Sequence, residues 1–230
     1  MWTEIPSAQR KNPKSNALTA VQHAENNMKK SIVFISVFII YAIIVNTYPV
    51  VTQWDMSVIE LLQEKLKTLP VWIPVLMDSK LYAACIVLPI LVALVFFFRQ
   101  CLIIDIILFC SSPLVAYIIN ILVKNIVQRP RPPIDLQIAV QPATYSFVSS
   151  HTFVTTTLWG LTIYYLNLYC KNKILKYAGI SFGVLWIFFV GFSRMWLGVH
   201  NPTDIFGGYL LASIVIYIYI QMIKIIGGKC

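Results

Sequence analysis

The sequence contains little charge for its length. Only 12% of its 230 residues are charged, whereas 58% are hydrophobic, and the mean hydropathy is +0.75. A soluble domain of this size carries roughly twice that charged fraction. Several uncharged stretches approach the ~20 residues that a helix needs to cross ~30 Å of hydrocarbon. The composition therefore excludes a soluble globular domain and predicts an all-α integral membrane protein.

The sequence also lacks the residue clusters that bind metals or nucleic acids. Its nine acidic residues are scattered, and its five cysteines show no metal-like spacing. The net charge of +9 forms no soluble basic face, because the Lys and Arg residues flank apolar stretches. We therefore expect no metal, no cofactor and no nucleic-acid partner.

The apolar stretches predict six membrane-spanning helices. They cover residues 31–51, 81–98, 102–123, 152–170, 177–192 and 205–223. Residues 1–27 are polar and basic, which predicts a mobile N-terminal tail and leaves residues 28–230 as one transmembrane domain. Six spans place both termini on one side of the membrane. That side carries more of the Lys and Arg residues, so we expect the termini to be cytoplasmic.

A segment between the first two predicted spans has a different pattern. Its apolar residues recur at helical spacing, and its polar residues face away from them. The apolar set is Trp54, Val58, Leu61, Leu62 and Leu66, and the polar set is Gln63, Glu64 and Lys67. This pattern predicts an amphipathic helix that rests on the bilayer surface or caps the bundle. A packing role and a role as a substrate gate are both compatible with it.

Three polar islands interrupt the apolar sequence. Span parity places all of them on one side of the membrane, and the Lys and Arg count makes that the outward side. Their selected residues are Lys124 and Arg131 in the first, Ser149, Ser150 and His151 in the second, and Ser193, Arg194, His200 and Asp204 in the third. Lys124 and Arg131 are two helical turns apart, and two cations aimed at one place suit a phosphate. Anchoring of Lys124 among lipid headgroups is the alternative.

The other two islands lie at predicted helix starts. Ser149 and Ser150 precede the fourth span, where they either cap the helix or add its amide groups to an anion site. Asp204 follows Asn201 and Pro202, a pattern that also explains it as a helix-start residue. His200 lies four residues before Asp204, so the carboxylate can accept from one ring nitrogen and leave the other as a nucleophile.

Taken in order, the three islands resemble the signature of the PAP2 (type 2 phosphatidic acid phosphatase) superfamily, in its bacterial membrane lipid phosphatase branch. The signature reads Lys-x6-Arg-Pro, Ser-x-His and Ser-Arg-x5-His-x3-Asp. The chain matches it with Lys124…Arg131-Pro132, Ser149-Ser150-His151 and Ser193-Arg194…His200…Asp204. One departure is Val148-Ser149-Ser150-His151, where the family usually has Pro-Ser-Gly-His. Losing that glycine matters if the position needs a positive φ or a close approach to phosphate.

The resemblance implies a six-transmembrane-helix bundle that hydrolyses lipid phosphate or diphosphate monoesters without a metal. His200 would form a phosphohistidine with support from Asp204, and His151 would act as the acid and then the base. The implied phosphate-binding residues are Lys124, Arg131, Ser149, Ser150 and Arg194. Undecaprenyl diphosphate or phosphatidylglycerophosphate is favoured over phosphatidate or lipid A phosphate. The expected location is a bacterial plasma membrane with the active site facing outward, and the oligomeric state stays open.

Two other functions use the same residues or the same fold. A lipid phosphotransferase would pass the phosphoryl group from the histidine to another acceptor, and product analysis distinguishes it from a hydrolase. A non-catalytic lipid-binding protein would keep the fold without turnover. The six ionisable residues of the islands argue against the second alternative, because such groups are costly near a bilayer.

Overall fold

The structure is a computed structural model that describes residues 13–70, 72–76, 87, 89–91, 103–139 and 143–226. Within these ranges all regular structure is helical, so the described part of the chain is all-α. The helices are α1 (Pro13–Thr47), α2 (Pro49–Leu66), α3 (Trp72–Leu76), α4 (Ile103–Val127), α5 (Ser150–Tyr169), α6 (Lys173–Trp196) and α7 (Pro202–Ile226). A short 3₁₀ helix, Ile134–Leu136, lies between α4 and α5.

Four of these helices are long and apolar enough to cross a membrane, which supports an integral membrane protein. They are α1 from Glu25, α4, α6 and α7, and they correspond to the first, third, fifth and sixth predicted spans. Helix α5 matches the fourth predicted span but carries five threonines, which lower its hydropathy. The second predicted span lies outside the described residues except at 87 and 89–91, which are helical. The count of six spans therefore stays a prediction.

The boundaries of α1 differ from the prediction at both ends. The helix begins at Pro13, inside the stretch predicted as a tail. It ends at Thr47, four residues before the predicted end, because Pro49 follows shortly after. A residue that precedes a proline is pushed out of the α region. Tyr48 accordingly adopts an extended conformation with φ −97° and ψ 112°, and α2 starts at Pro49.

Helix α2 contacts the protein through a face that includes only part of the predicted apolar set, since Val58, Leu62 and Leu66 are half-buried. Trp54 and Leu61 are 50% and 56% exposed, whereas the buried residues of the helix are Asp55 and Ile59. The helix packs against α6 and α7. Its inner face therefore includes a carboxylate, and Trp54 and Leu61 of the predicted apolar set lie on its exposed side. That α2 rests on the bilayer surface stays a prediction.

Gln63, which was predicted to face away from the apolar residues of the helix, also contacts the protein. Its Nε2 donates to the main-chain carbonyls of Leu136, at 2.8 Å, and Trp196, at 3.0 Å. These carbonyls lie in the 3₁₀ helix and at the end of α6, and the loop residue Ile138 also donates to Leu197 at 2.9 Å. Hydrogen bonds to carbonyls of the 3₁₀ helix and of the end of α6 thus hold α2 in place in addition to its apolar contacts.

Helix α5 forms the centre of the bundle. It packs against α4, α6 and α7, and α1 packs on the outer side of α7. Gly207 lets α7 approach the segment before α5, because a Cβ at this position would lie 2.5 Å from the ring of Phe147. Contacts between these elements bring the C-terminal ends of α4 and α6 to the N-terminal ends of α5 and α7. One end of the bundle therefore collects the polar islands.

The turn after α6 requires glycine. Gly198 has a φ of +66°, and a Cβ there would overlap the carbonyl oxygen of Leu136. We predict that Gly198→Ala lowers the stability by at least ~3 kcal/mol, since both the conformation and the contact oppose a side chain. The corresponding fall in melting temperature is about 10 °C, measured by tryptophan fluorescence in detergent.

Gly179→Ala is the matched control for this variant. Gly179 lies within α6, its added Cβ would meet only the flexible end of the Leu166 side chain of α5, and its φ is not in the left-handed region. We expect Gly179→Ala to change the melting temperature by less than a third of the Gly198→Ala effect. Equal effects of the two substitutions would show that the turn imposes no special requirement.

Candidate active site

The predicted site residues lie on four helix ends and the loops that join them. Lys124 is in the last turn of α4, and His151 is in the first turn of α5. Arg194 is in the last turn of α6, and Asp204 is in the first turn of α7. The N-termini of α5 and α7 also direct the positive ends of their helix dipoles towards this region. The arrangement favours an anion.

His200 lies in the turn between α6 and α7, and its side chain is buried. Its Nδ1 is 3.6 Å from Oδ2 of Asp204, which is within ion-pair range but longer than a hydrogen bond. Its Nε2 is 3.5 Å from Nη1 of Arg131. The imidazole therefore has a carboxylate beside one ring nitrogen and a guanidinium beside the other.

Arg131 and Lys124 are oriented by neutral oxygens of two loops. The Nε and Nη2 atoms of Arg131 donate to the carbonyl and hydroxyl oxygens of Thr144 at 2.8 and 3.0 Å, and Nη1 donates to the Val199 carbonyl at 2.7 Å. Nζ of the buried Lys124 donates to the carbonyls of Tyr145 and Ser146, the latter at 3.2 Å. Such contacts fix the cations in position without cancelling their charge.

The serines of the second island make other contacts than we predicted. Ser149 is the N-cap residue of α5, but its hydroxyl makes no capping bond. Its amide, which we predicted as an anion donor, donates to the carbonyl of Asp204 at 3.2 Å. Ser150 donates to Oδ1 of the buried Asn120 at 2.6 Å. In this conformation these bonds join α5 to α7 and α4, because polar groups in a buried helix end need partners.

The third island contributes a buried arginine. Arg194 is 1% exposed, and its Nε donates to Oγ of Ser193 at 3.3 Å. Ser193 in turn donates to the carbonyl of Val190 within α6 at 2.8 Å. The main chain of Arg194 accepts from the amide of Val199 at 3.2 Å, so this arginine also closes the turn that carries His200.

The contacts of Asp204 include residues that sequence reasoning did not select. Oδ1 accepts from Nη1 of Arg129 at 2.6 Å. Oδ2 accepts from Oγ of Ser146 and from the amide of Asn201 at 2.8 Å. The amide of Asp204 donates back to the carbonyl of Asn201 at 3.0 Å. The Asp204 carboxylate therefore both accepts a hydrogen bond at the start of α7 and lies beside His200, so the two interpretations of this residue are compatible.

Asp55 is a further residue that the sequence did not single out. It is fully buried, and its Oδ2 accepts from Nη2 of Arg129 at 2.7 Å. A signal for it exists in the sequence, because Asp55 shares a helical stripe with Ile59, Leu62 and Leu66. A lone carboxylate in an apolar stripe needs a buried cationic partner.

Burial and local charges set the protonation of two groups at this end of the bundle. Burial, together with the positive charges of Arg131 and Lys124, lowers the pKa of His200 to about 3, although Asp204 opposes this shift. Burial also disfavours the charge of Arg129, but the carboxylates of Asp204 and Asp55 outweigh it and raise the pKa of the guanidinium. At neutral pH the imidazole is therefore neutral and Arg129 is charged.

Two spaces adjoin the site. A cavity of about 200 Å³ is lined by Arg129, Arg131 and Asn201 on one side and by the ends of α1 and α2 on the other. Since a liquid water occupies ~30 Å³, this cavity can hold a small polar group. An apolar groove of about 640 Å³ runs between α1 and α4 against α7. Asn46 of α1 lines both spaces.

Known proteins resemble the chain in sequence and in fold. Phosphatidylglycerophosphatase B of Bacillus subtilis (strain 168) is 31% identical over 103 residues, which are 44% of this chain and 49% of that protein. Lipid phosphate phosphatase delta of Arabidopsis thaliana is 26% identical over 110 residues, 44% of this chain and 26% of that protein. The matches thus span about half and about a quarter of the lengths of these relatives.

A solved structure shares the fold over most of the chain. It is the transmembrane PAP2-type phosphatidylglycerolphosphate phosphatase of Bacillus subtilis, with a TM-score of 0.66 and 19% identity. The superposition covers 87% of this chain and 99% of that structure. A sequence model of the PAP2 superfamily matches residues 105–226, the range from α4 to α7 that carries all three islands. The chain therefore belongs to the PAP2 superfamily.

Proposed function

We propose that this protein is an integral membrane lipid phosphatase that hydrolyses lipid phosphate or diphosphate monoesters through a phosphohistidine. One observation carries the proposal: the buried imidazole of His200 lies between the carboxylate of Asp204 and the guanidinium of Arg131. A neutral ring with a fixed carboxylate beside Nδ1 leaves Nε2 as a nucleophile. A cation beside Nε2 is suited to hold the phosphoryl group that this atom attacks.

The first half-reaction transfers the phosphoryl group to the protein. Nε2 of His200 attacks phosphorus, and the bond between phosphorus and the lipid oxygen breaks. His151 donates a proton to the leaving oxygen, and Asp204 accepts the hydrogen bond of Nδ1–H, which stabilises the positive charge on the phosphorylated ring. The proposed ligands of the non-bridging oxygens are Lys124, Arg131, Ser149, Ser150 and Arg194.

The second half-reaction returns the histidine to its starting state. His151, now neutral, takes a proton from water as the water oxygen attacks phosphorus. The bond between phosphorus and Nε2 breaks, and inorganic phosphate leaves. The amide of Ser149 already donates to the main-chain carbonyl of Asp204. The contribution of Ser149 to phosphate binding therefore comes from its hydroxyl. Neither half-reaction needs a metal ion.

Lipid substrates are favoured by the apolar groove, which shares the lining residue Asn46 with the polar cavity. A headgroup beside Arg131 and a chain in the groove between α1 and α4 would meet at Asn46. The name of the Bacillus relative favours phosphatidylglycerophosphate, and undecaprenyl diphosphate is the second candidate. A lipid chain there would make dispersion contacts with the groove that a soluble ester cannot make.

The proposed topology completes the predicted arrangement. Six spans, with the second at residues 81–98, place both termini in the cytoplasm and the helix ends that carry His200 at the outer surface of a bacterial plasma membrane. Residues 28–230 then form one catalytic domain, with α2 on its outer surface. The meeting of four helix ends in one polar region supports a site at a membrane surface, because that region needs access to water. The excess of Lys and Arg on the side of the termini supports the outward orientation.

The main prediction concerns turnover. Protein purified in detergent should release inorganic phosphate from phosphatidylglycerophosphate in the presence of EDTA, and His200→Ala should reduce the rate by at least about 10⁴-fold, since it removes the nucleophile. His151→Ala should lower the rate by about 10²–10⁴-fold, since it removes the acid of the first half-reaction and the base of the second. An acid-labile phosphoenzyme, detected with radiolabelled substrate, should form in the wild type and be absent from His200→Ala. Full activity of His200→Ala would refute the proposed nucleophile. Transfer to added glycerol that exceeds release to water would identify a phosphotransferase instead.

A second prediction concerns the pH dependence of stability. The unfolded state takes up a proton at His200 near pH 6.5, whereas the folded state does so only near pH 3. Folding stability therefore falls as the pH decreases below about 6.5, and this residue accounts for a loss of about 2 kcal/mol between pH 7 and pH 5. His200→Gln should reduce the difference in melting temperature between these pH values by about 5 °C. An unchanged difference would show that the imidazole is not held neutral by burial.

A third prediction tests the groove. Ala42→Trp places an indole in the groove between α1 and α4 without altering the residues around His200. It should raise KM for a long-chain lipid phosphate at least about 10-fold, because the chain loses its contacts, while kcat/KM for a short soluble phosphomonoester stays within about 2-fold. A parallel change for both substrates would place the lipid chain elsewhere. Ile32→Trp, on the exposed outer face of α1, is the control.

A further inference from the structure

A buried ion-pair network joins α2 to the start of α7. Nη2 of Arg129 contacts Asp55 at 2.7 Å, and Nη1 contacts Asp204 at 2.6 Å. The three side chains are 0–3% exposed. Arg129 comes from the loop after α4, so one guanidinium links carboxylates from two helices that are far apart in the sequence.

Thr203 closes this network. Its hydroxyl donates to Oδ2 of Asp55 at 2.6 Å and accepts from Nη1 of Arg129 at 2.7 Å. Its amide donates to Oδ1 of Asp55 at 3.0 Å. Asp55 therefore satisfies one of the amides that the first turn of α7 leaves without an intrahelical partner. The carboxylate of α2 thus fixes the same helical turn that carries Asp204.

The network divides the two oxygens of Asp204 between different partners. Oδ1 is taken by Arg129, whereas Oδ2 faces Ser146 and the imidazole of His200. Rotation of the carboxylate would break a charge-assisted hydrogen bond in a buried environment, where such bonds are strongest. Arg129 on Oδ1 therefore fixes the position of Oδ2 relative to Nδ1 of His200 together with Ser146 and the Asn201 amide, which donate to Oδ2.

Stability alone is a weak reason for such a network. Burying two carboxylates and a guanidinium carries a large desolvation cost, which apolar residues of similar volume would avoid. Helix α2 has another polar attachment through Gln63, which bonds main-chain carbonyls and buries no charge. The charged attachment is placed where its loss would disturb the support of His200.

We propose that Asp55 and Arg129 are positioning residues, through which α2 holds Asp204 ionised and correctly oriented for phosphoryl transfer by His200. The inference rests on the proposed function, in which His200 is the nucleophile. Neither residue contacts the reacting atoms. Arg129 acts directly on Asp204, and Asp55 acts on Arg129 and Thr203, so the effect of removing Arg129 should exceed that of removing Asp55.

The test is a double-mutant cycle on phosphate release from phosphatidylglycerophosphate in detergent. Arg129→Gln should lower kcat about 100-fold and change KM less than about 3-fold, because it disturbs the support of the nucleophile and not the binding of the lipid. Asp204→Asn should lower kcat at least as much. The double variant should be no more than about 3-fold slower than Asp204→Asn alone, because both changes remove the same support.

Two milder variants keep the test informative if Arg129→Gln folds poorly. Asp55→Asn keeps the shape of the side chain and the ion pair of Arg129 with Asp204, and it should lower kcat about 10-fold. Arg129→Lys keeps the charge and should recover part of the activity lost in Arg129→Gln. The control is Gln63→Leu, which removes the uncharged attachment of α2 and should lower the melting temperature while kcat stays within about 2-fold of the wild type.

The outcomes separate this inference from the proposed function. Suppose that the wild type releases phosphate and that Arg129→Gln and Asp55→Asn lower only the melting temperature. This result would overturn the inference and leave the proposed function intact. Losses that multiply in the double variant would also overturn it, since they would show independent roles. A wild type that releases no phosphate from the lipid would overturn the proposed function and this inference with it.

Discussion

The geometry of the site depends on the contacts of the Asp204 carboxylate. It accepts from Arg129, Ser146 and the Asn201 amide, and it lies 3.6 Å from His200. These partners come from the loop after α4, the segment before α5 and the turn before α7. A buried carboxylate with this many donors stays ionised, because each donor offsets part of its desolvation cost. The same contacts also hold these three segments together.

The apolar character of the helices explains why these contacts lie at one end of the bundle. Charged groups in the hydrocarbon region are costly, so cations, carboxylates and histidines are concentrated where helices end. Helices that alternate in direction bring two C-terminal ends and two N-terminal ends together there. Lys124 and Arg131 add positive charge, and the helix N-termini add positive dipole ends. An anion-binding region follows from the topology as much as from the individual side chains.

The sequence predicted the helices and the polar region better than the contacts inside it. Four apolar stretches became helices that can cross a membrane because length and hydropathy decide this locally. The spacing of His200 and Asp204 likewise predicted their proximity. Asp55 was missed because its partner Arg129 lies 74 residues away, and Arg129 was passed over for Arg131, which fits the family signature. The contacts of Gln63 were not predicted because hydropathy patterns do not show which main-chain carbonyls a helix will meet.

Helix start and catalytic support need not be competing explanations of Asp204. A carboxylate in the first turn of a helix is stabilised by the dipole and by free amides, and both effects keep it ionised. Ionisation is also what a histidine partner requires. Because Arg129 takes Oδ1, the bond with the Asn201 amide and the approach to His200 both fall on Oδ2. The start of α7 therefore places the imidazole and its carboxylate within one turn of chain, and α2 limits their freedom from outside that turn.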